Sequence, residues 1–403
     1  MSKRRIPIWL LLIVLFPGLI LAFVVGLWAW ASGTAPVFHP NPQEVRSATA
    51  GDPSAQWADA VERGRQVVRA AIADQNLPGI SVAVGAGGEI VWAEGFGWAD
   101  TENRVPVEPD TRFRIGTASK MLTSAAVGLL MEQGRLELDN EIQTYVPEFP
   151  NKQWPVTLRQ LMGHTAGVRR DAGDEEDLRT HCARTLDGLQ RFAKHDLLFE
   201  PGTQYRYSNY GWFLVSAAVE AAGGDPFFDF MRRQIFQPLG LKDTTDDDEP
   251  EPMRAVDYFP RFAADPRYGH QGPEQFDYSC FTGSSAFLST ASDMVRFIMA
   301  INGGKLLQPA TVQLLQTSQR LRSGEETGYG LGWDLETVEL AGEQTRVVGY
   351  DGDSRDGIVS SFMIVPEHGI VVAVTTNIAF ADTPSIALNI AQTFAAQRKG
   401  PKS

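Results

Sequence analysis

The 403-residue chain has little of what marks a metalloprotein or a disulfide scaffold. It holds two cysteines, Cys182 and Cys280, and six histidines. No His-Glu-x-x-His pair and no clustered Cys/His spacing is present, which leaves zinc without a ligand set. We expect no metal and no organic cofactor. A Gly-x-Ser-x-Gly elbow is also missing, which excludes the usual α/β-hydrolase nucleophile. Internal repeats and low-complexity blocks are absent, so the chain is not a solenoid or a disordered tail. No acidic residue precedes Glu44, and no Lys or Arg lies between Arg5 and Arg46.

That last gap frames an apolar run. Residues Ile6 to Ala31 carry no charge, a length that exceeds the ~20 residues needed to cross a bilayer. Trp9, Trp28 and Trp30 sit near its ends, where interfacial aromatics collect, and Lys3, Arg4 and Arg5 precede it. The positive-inside rule puts the N-terminus in the cytoplasm and the remainder outside. A cleaved signal peptide is the competing reading, because Ala29-Trp30-Ala31 fits a small-x-small site. The run is longer than such peptides usually need, which favours a retained anchor. We therefore expect a single-pass protein of the cell inner membrane, its main domain facing the periplasm or exterior.

Beyond the run lie 33 of the 36 basic residues and all 49 acidic ones. This acidic balance argues against nucleic acid as a partner. The runs Asp174-Glu175-Glu176-Asp177 and Asp246-Asp247-Asp248-Glu249 read as solvated loops. A Cys182–Cys280 disulfide suits the oxidising side, but sequence alone leaves it open, as it does the oligomeric state.

Residues 32–53, rich in Pro, Gly, Ser and Asn, read as a linker. Helical spacing follows over about 55–75. Ile80 to Val84 and Ile90 to Ala93 flank Gly85-Ala86-Gly87-Gly88, and Ile358 to Val365 and Ile370 to Thr376 flank Pro366-Glu367-His368-Gly369. Both patterns predict hairpins. Further helices are expected from Thr117 through Leu130, over Tyr210 to Ala222, and over Ser385 to Gln397. Strands at both ends with helices between predict an α/β (α+β) chain, in which an antiparallel sheet built from both termini carries an inserted, mostly helical lobe.

The most informative stretch is Phe113-Arg114-Ile115-Gly116-Thr117-Ala118-Ser119-Lys120. Residues at i and i+3 share a helix face, so Thr117 and Lys120 can meet. An amine beside a hydroxyl can take its proton and make the alcohol nucleophilic. The simpler reading of Thr117 is an N-cap, although Lys120 places the wrong charge for a capping box. Tyr207-Ser208-Asn209 before a helix is by itself a turn and cap, and a lone His164 is more often structural than catalytic. Gly328-Tyr329-Gly330-Leu331-Gly332 resembles a nucleotide loop only superficially, since no helix pattern follows it.

Together, in this order and spacing, these segments resemble the class C β-lactamase-related serine hydrolases, and within them the LACTB-like group. The markers are Pro78-Gly79, Phe113 to Gly116, His164-Thr165-Ala166-Gly167, Pro201-Gly202-Thr203, Tyr207-Ser208-Asn209, Leu288 to Asp293 and Val365-Pro366-Glu367. They run from about Leu77 to Asn377. The resemblance implies a β-lactamase/transpeptidase-like fold and acyl transfer through a covalent ester. With the apolar run and the linker already read from the residues, the chain divides into a cytoplasmic tip (1–5), an anchor (6–31), a linker (32–53), a hydrolase domain (54–397) and a tail (398–403). By position the resemblance puts Thr117 in the nucleophile's place and Lys120 as its proton acceptor. Tyr207 becomes the second acid/base, its phenol acidified by the lysine, and Asn209 orients the substrate or the lysine. The oxyanion hole falls to the N–H groups of Thr117 and Asp353. Tyr350, Asp351, Gly352 and Asp353 make up the substrate-facing strand.

Two departures stand out. Serine is replaced by Thr117, whose methyl group restricts χ1. The family's Lys-Thr-Gly or His-x-Gly becomes Tyr350-Asp351-Gly352, which loses a cation and gains an acid; Arg355 is a candidate replacement. These changes disfavour a substrate carboxylate. The expected function is therefore a membrane-anchored acyl hydrolase of a small ester, amide or peptide. The alternative is a catalytically inactive β-lactamase-fold binding or assembly protein.

Overall fold

The computed structural model describes residues 8–170, 180–246, 253–272, 276–354 and 357–399. The acidic run at 174–177, most of that at 246–249, and Arg355 lie outside these residues. Among the described residues, ten strands form in chain order: β1 (Ser47–Thr49), β2 (Gly79–Ala86), β3 (Glu89–Asp100), β4 (Val105–Pro106), β5 (Phe113–Arg114), β6 (Leu288–Ser289), β7 (Asp334–Leu340), β8 (Glu343–Ser354), β9 (Gly357–Val365) and β10 (Ile370–Thr376). One antiparallel sheet runs β1-β3-β2-β10-β9-β8-β7, with β4 on β3, while β5 and β6 pair separately. The two expected hairpins are β2–β3 and β9–β10, and they meet at the sheet's centre through β2 and β10. Sheet and helices thus follow the architecture expected from the sequence.

Both faces of the sheet are covered, which is why β2 and β10 are buried at every position and show no polar alternation. On one face, α2 (Ala58–Gln75) and the C-terminal helix Thr383–Lys399 pack on Val347, Met363, Val365, Val372 and Val374. On the other face, Val348, Tyr350, Phe362 and Ile364 join the core of the helical lobe. That lobe contains α3 (Ser119–Glu132), α4 (Leu158–Met162) and α5 (Asn209–Gly223).

The 32–53 segment is not bare linker. It carries a single turn of helix at Pro42–Glu44 and strand β1, which hydrogen-bonds to the edge of β3. Asn76, in the left-handed conformation that ends α2, donates to Pro36 O and accepts from Phe38 N–H. Ahead of it, α1 (Ile8–Gly33) leaves the side chains of Phe16, Leu19, Phe23 and Trp28 exposed. Where α1 meets the body, Ala31 is buried and Arg261 donates to Ala31 O and Thr34 Oγ1, each at 2.7 Å.

Cys182 and Cys280 form a disulfide across 98 residues of sequence. Beside it, Cys182 N–H donates to Ser279 Oγ at 2.8 Å. Cross-links of such long loops typically stabilise by about 2–4 kcal/mol, chiefly by restricting the unfolded chain. Urea unfolding with and without dithiothreitol should show that loss on reduction; an unchanged midpoint would contradict a structural role.

Candidate active site

The site forms where the first turn before α3 meets the end of β8. Residues Gly116–Ala118 make a single 3₁₀ turn leading into α3. Gly116 has φ +56°, and a Cβ there would overlap the backbone of Asp353. A Cβ at Gly352 would overlap Ile115 O and the Ser360 hydroxyl. Glycine at both positions therefore lets two backbones touch. The result is specific: Asp353 N–H donates to Thr117 Oγ1 at 2.8 Å. Gly352→Ala should push the strand off the turn, destabilise by about 1–3 kcal/mol and uncouple residues 117 and 353. Urea unfolding measures the first effect; wild-type stability would show that the approach is looser than described.

Lys120 is fully buried on α3. Its Nζ donates to Tyr207 OH at 2.8 Å, Asn209 Oδ1 at 2.7 Å and Ser284 O at 3.3 Å. Three acceptors match the three protons of an ammonium group. The rings of Tyr207 and Tyr350 lie 4.9 and 5.6 Å from the same nitrogen. Lys120 is thus seated among Tyr207, Asn209 and Ser284, while the Thr117 hydroxyl is held by the strand.

Local sequence explains how Tyr207 and Asn209 reach the lysine. Ser208 between them caps α5, accepting from Gly211 N–H, and its own hydroxyl donates to Arg169 O. Its N–H donates to His164 Nδ1 at 3.2 Å. With Ser208 pinned, its two neighbours turn the other way, toward Lys120. His164 is buried against Tyr207 and Tyr329, with ring centroids 4.5 and 4.8 Å apart. Burial, then the Lys120 charge, holds its imidazole well below the usual pKa. His164 is therefore a neutral supporting residue, as a lone histidine here suggested.

A chain of phenols runs from the lysine. Tyr329 OH donates to Tyr350 OH at 3.3 Å, Tyr350 OH donates to Tyr207 OH at 3.4 Å, and Tyr207 OH donates to Asn209 Oδ1 at 3.1 Å. Burial, and then the neighbouring tyrosines and Asp334, push the Tyr329 and Tyr350 hydroxyls well above their ordinary pKa, so both remain protonated donors.

With this geometry in view, a family model described as Beta-lactamase matches residues 65–397. The chain belongs to the beta-lactamase family. Among beta-lactamase relatives, the mouse (Mus musculus) "Serine beta-lactamase-like protein LACTB, mitochondrial" is 26% identical over 479 residues, covering 90% of this chain and 86% of that protein. Of solved structures, "EstCE1, a hydrolase with promiscuous acyltransferase activity" superposes with a TM-score of 0.71 at 23% identity, covering 84% of this chain and 99% of that one. The D-amino acid amidase of Ochrobactrum anthropi SV3 superposes with a TM-score of 0.70 at 25% identity, covering 86% and 100% respectively.

Within this beta-lactamase fold, Thr117, Lys120, Tyr207, Asn209, Tyr350, Gly352 and Asp353 come together. Asp351 does not join them, which corrects its expected place on the substrate-facing strand. It stands opposite Ser361 on β9, accepts from that hydroxyl at 2.6 Å, and faces the C-terminal helix. Successive strand residues point to opposite faces, so Tyr350 and Asp351 cannot both line one groove. Sequence reasoning missed Ser284, Tyr329 and Asp334. The first acts through its backbone and leaves no sequence signal. Tyr329 was visible in its glycine-rich loop but had no role assigned.

Proposed function

We propose that this member of the beta-lactamase family is an acyl hydrolase that works through a covalent ester on Thr117. The supporting observation is the contact of Asp353 N–H with Thr117 Oγ1, which aims a backbone donor at the atom where chemistry would begin. In this reading the Lys120–Tyr207 pair has first released one proton to solvent; the Thr117 hydroxyl then swings off Asp353 N–H and gives its proton to that pair. The oxygen bonds to the substrate carbonyl carbon. The developing oxyanion takes the vacated Asp353 N–H and the N–H of Thr117, donors worth roughly 3–4 kcal/mol each in such sites. Tyr207 returns the proton to the departing alcohol or amine, and water then cleaves the ester by the reverse sequence. The substrate is a small ester, amide or peptide whose scissile end lacks a carboxylate, because no Lys or His stands at position 350.

In the same reading α1 is a single-pass anchor. Its Phe16–Gly33 stretch carries no charge and is almost wholly exposed. The basic tip then lies in the cytoplasm and the hydrolase domain in the periplasm or exterior. A second reading, a binding protein that has lost catalysis, draws on the hydroxyl occupying its own oxyanion donor. Hydrolysis of p-nitrophenyl acetate by the full chain in detergent decides between them. Turnover above that of the Thr117→Ala variant supports the hydrolase, and equal rates support the binding protein.

A further inference from the structure

Strand β7 stops pairing with β8 at Asp334, opposite Gly349. From Tyr350 to Ser354 the outer edge of β8 has no strand partner among the described residues. Two N–H groups leave this edge. That of Asp353 meets Thr117 Oγ1, and that of Asp351 points to Asp334 Oδ2 at 3.5 Å. Residues i and i+2 of a strand are about 7 Å apart at ~3.3 Å per residue. The Asp334 carboxyl therefore marks a second point on the edge, about two residues from the expected oxyanion donor.

Asp334 is half-buried, and no basic side chain among the described residues makes an ion pair with it. Its backbone bridges to Tyr329. Its charge acts on Tyr205, Tyr329 and Tyr350. Tyr329 lies between the other two, its ring centroid 6.1 Å from each. Tyr205 keeps 40% of its surface open. A carboxylate close to an exposed phenol ring suits an organic cation, which gains an ion pair and cation–π contact together.

We propose that Asp334, with the exposed Tyr205 ring and Tyr329 packed behind it, is a specificity subsite for a substrate ammonium group set about two residues from the scissile carbonyl, as in an unblocked dipeptide ester or amide. This rests on the hydrolase reading for the scissile end alone; recognition of the amine stands apart from turnover. The electrostatics agree. Burial, then Asp351 and Glu336, push the Asp334 carboxyl up to about 7, while the Asp351 N–H and the Lys120 charge oppose them. The charged groups acting on it are thus Glu336 on β7, Asp351 on β8 and Lys120 on α3, with the tyrosines beside them. A bound cation supplies the missing counter-charge, and the preference for it should fade below pH about 7 as Asp334 takes up its proton.

Calorimetry on the full-length Thr117→Ala chain in detergent, which can form no ester, reads this preference without catalysis when glycylglycinamide and its N-acetyl form are titrated in. The free amine should bind at least about tenfold more tightly. Glycylglycine p-nitroanilide should likewise exceed its acetylated form in kcat/KM. Asp334→Asn should bring both ratios close to one, and Asp334→Glu should retain most of the preference. A ratio near one with Asp334 in place, or an unchanged ratio in Asp334→Asn, overturns the proposal. Failure to hydrolyse p-nitrophenyl acetate would remove the hydrolase reading and leave the binding preference to be judged on its own.

Discussion

Replacing Thr117 by serine should raise kcat/KM for a small neutral ester by about 5- to 150-fold, whereas Thr117→Ala should lower it by on the order of 10³ or more, to background. The gain follows from the methyl group. A threonine side chain is stiff at χ1, and overpacking a close-fitting pocket costs roughly 1–3 kcal/mol. Here the cost falls on the reaction, because the hydroxyl must leave Asp353 N–H before attacking. Serine makes that rotation freely. The alanine loss follows because no covalent ester can form. Ester kinetics on the three proteins check both directions, and equal rates for all three would remove residue 117 from the chemistry.

Lys120→Met should lower kcat by about 10²- to 10⁴-fold, the usual range for loss of a general acid or base. Methionine fills the volume of the lysine stem but donates nothing to Tyr207 OH, Asn209 Oδ1 or Ser284 O. Tyr207 still donates to Asn209, so two of the three acceptors keep a partner. Replacing a buried charge by an apolar isostere is often neutral for stability, and the thermal midpoint should move by only a few degrees. Lost folding together with lost activity would instead make Lys120 a structural residue.

Much of the scaffold was legible because its signals are local. The hairpins at 80–93 and 358–376 are apolar runs around turn residues, and α5 closes at Gly224 in the left-handed conformation. What stayed hidden depends on pairing between distant segments. The partner of the Thr117 hydroxyl lies 236 residues away, on a strand whose approach is set by Gly116 and Gly352. The i,i+3 rule placed Thr117 and Lys120 on one face but says nothing of which way each side chain turns. Asp334 has no motif; it reaches the Asp351 N–H only because β7 ends there. The orientation of Asp351 was within reach, since the two-residue period of a strand already opposes it to Tyr350. The 32–53 segment read as linker because its proline and glycine content hid a three-residue edge strand.

Intact-mass spectrometry after exposure of the full chain to a fluorophosphonate tests the nucleophile most directly. One adduct, mapped by peptide sequencing to Thr117 and absent from Thr117→Ala, is the expected result. Labelling that persists in the alanine variant, or that maps to another residue, would show that this hydroxyl does not carry the acyl group.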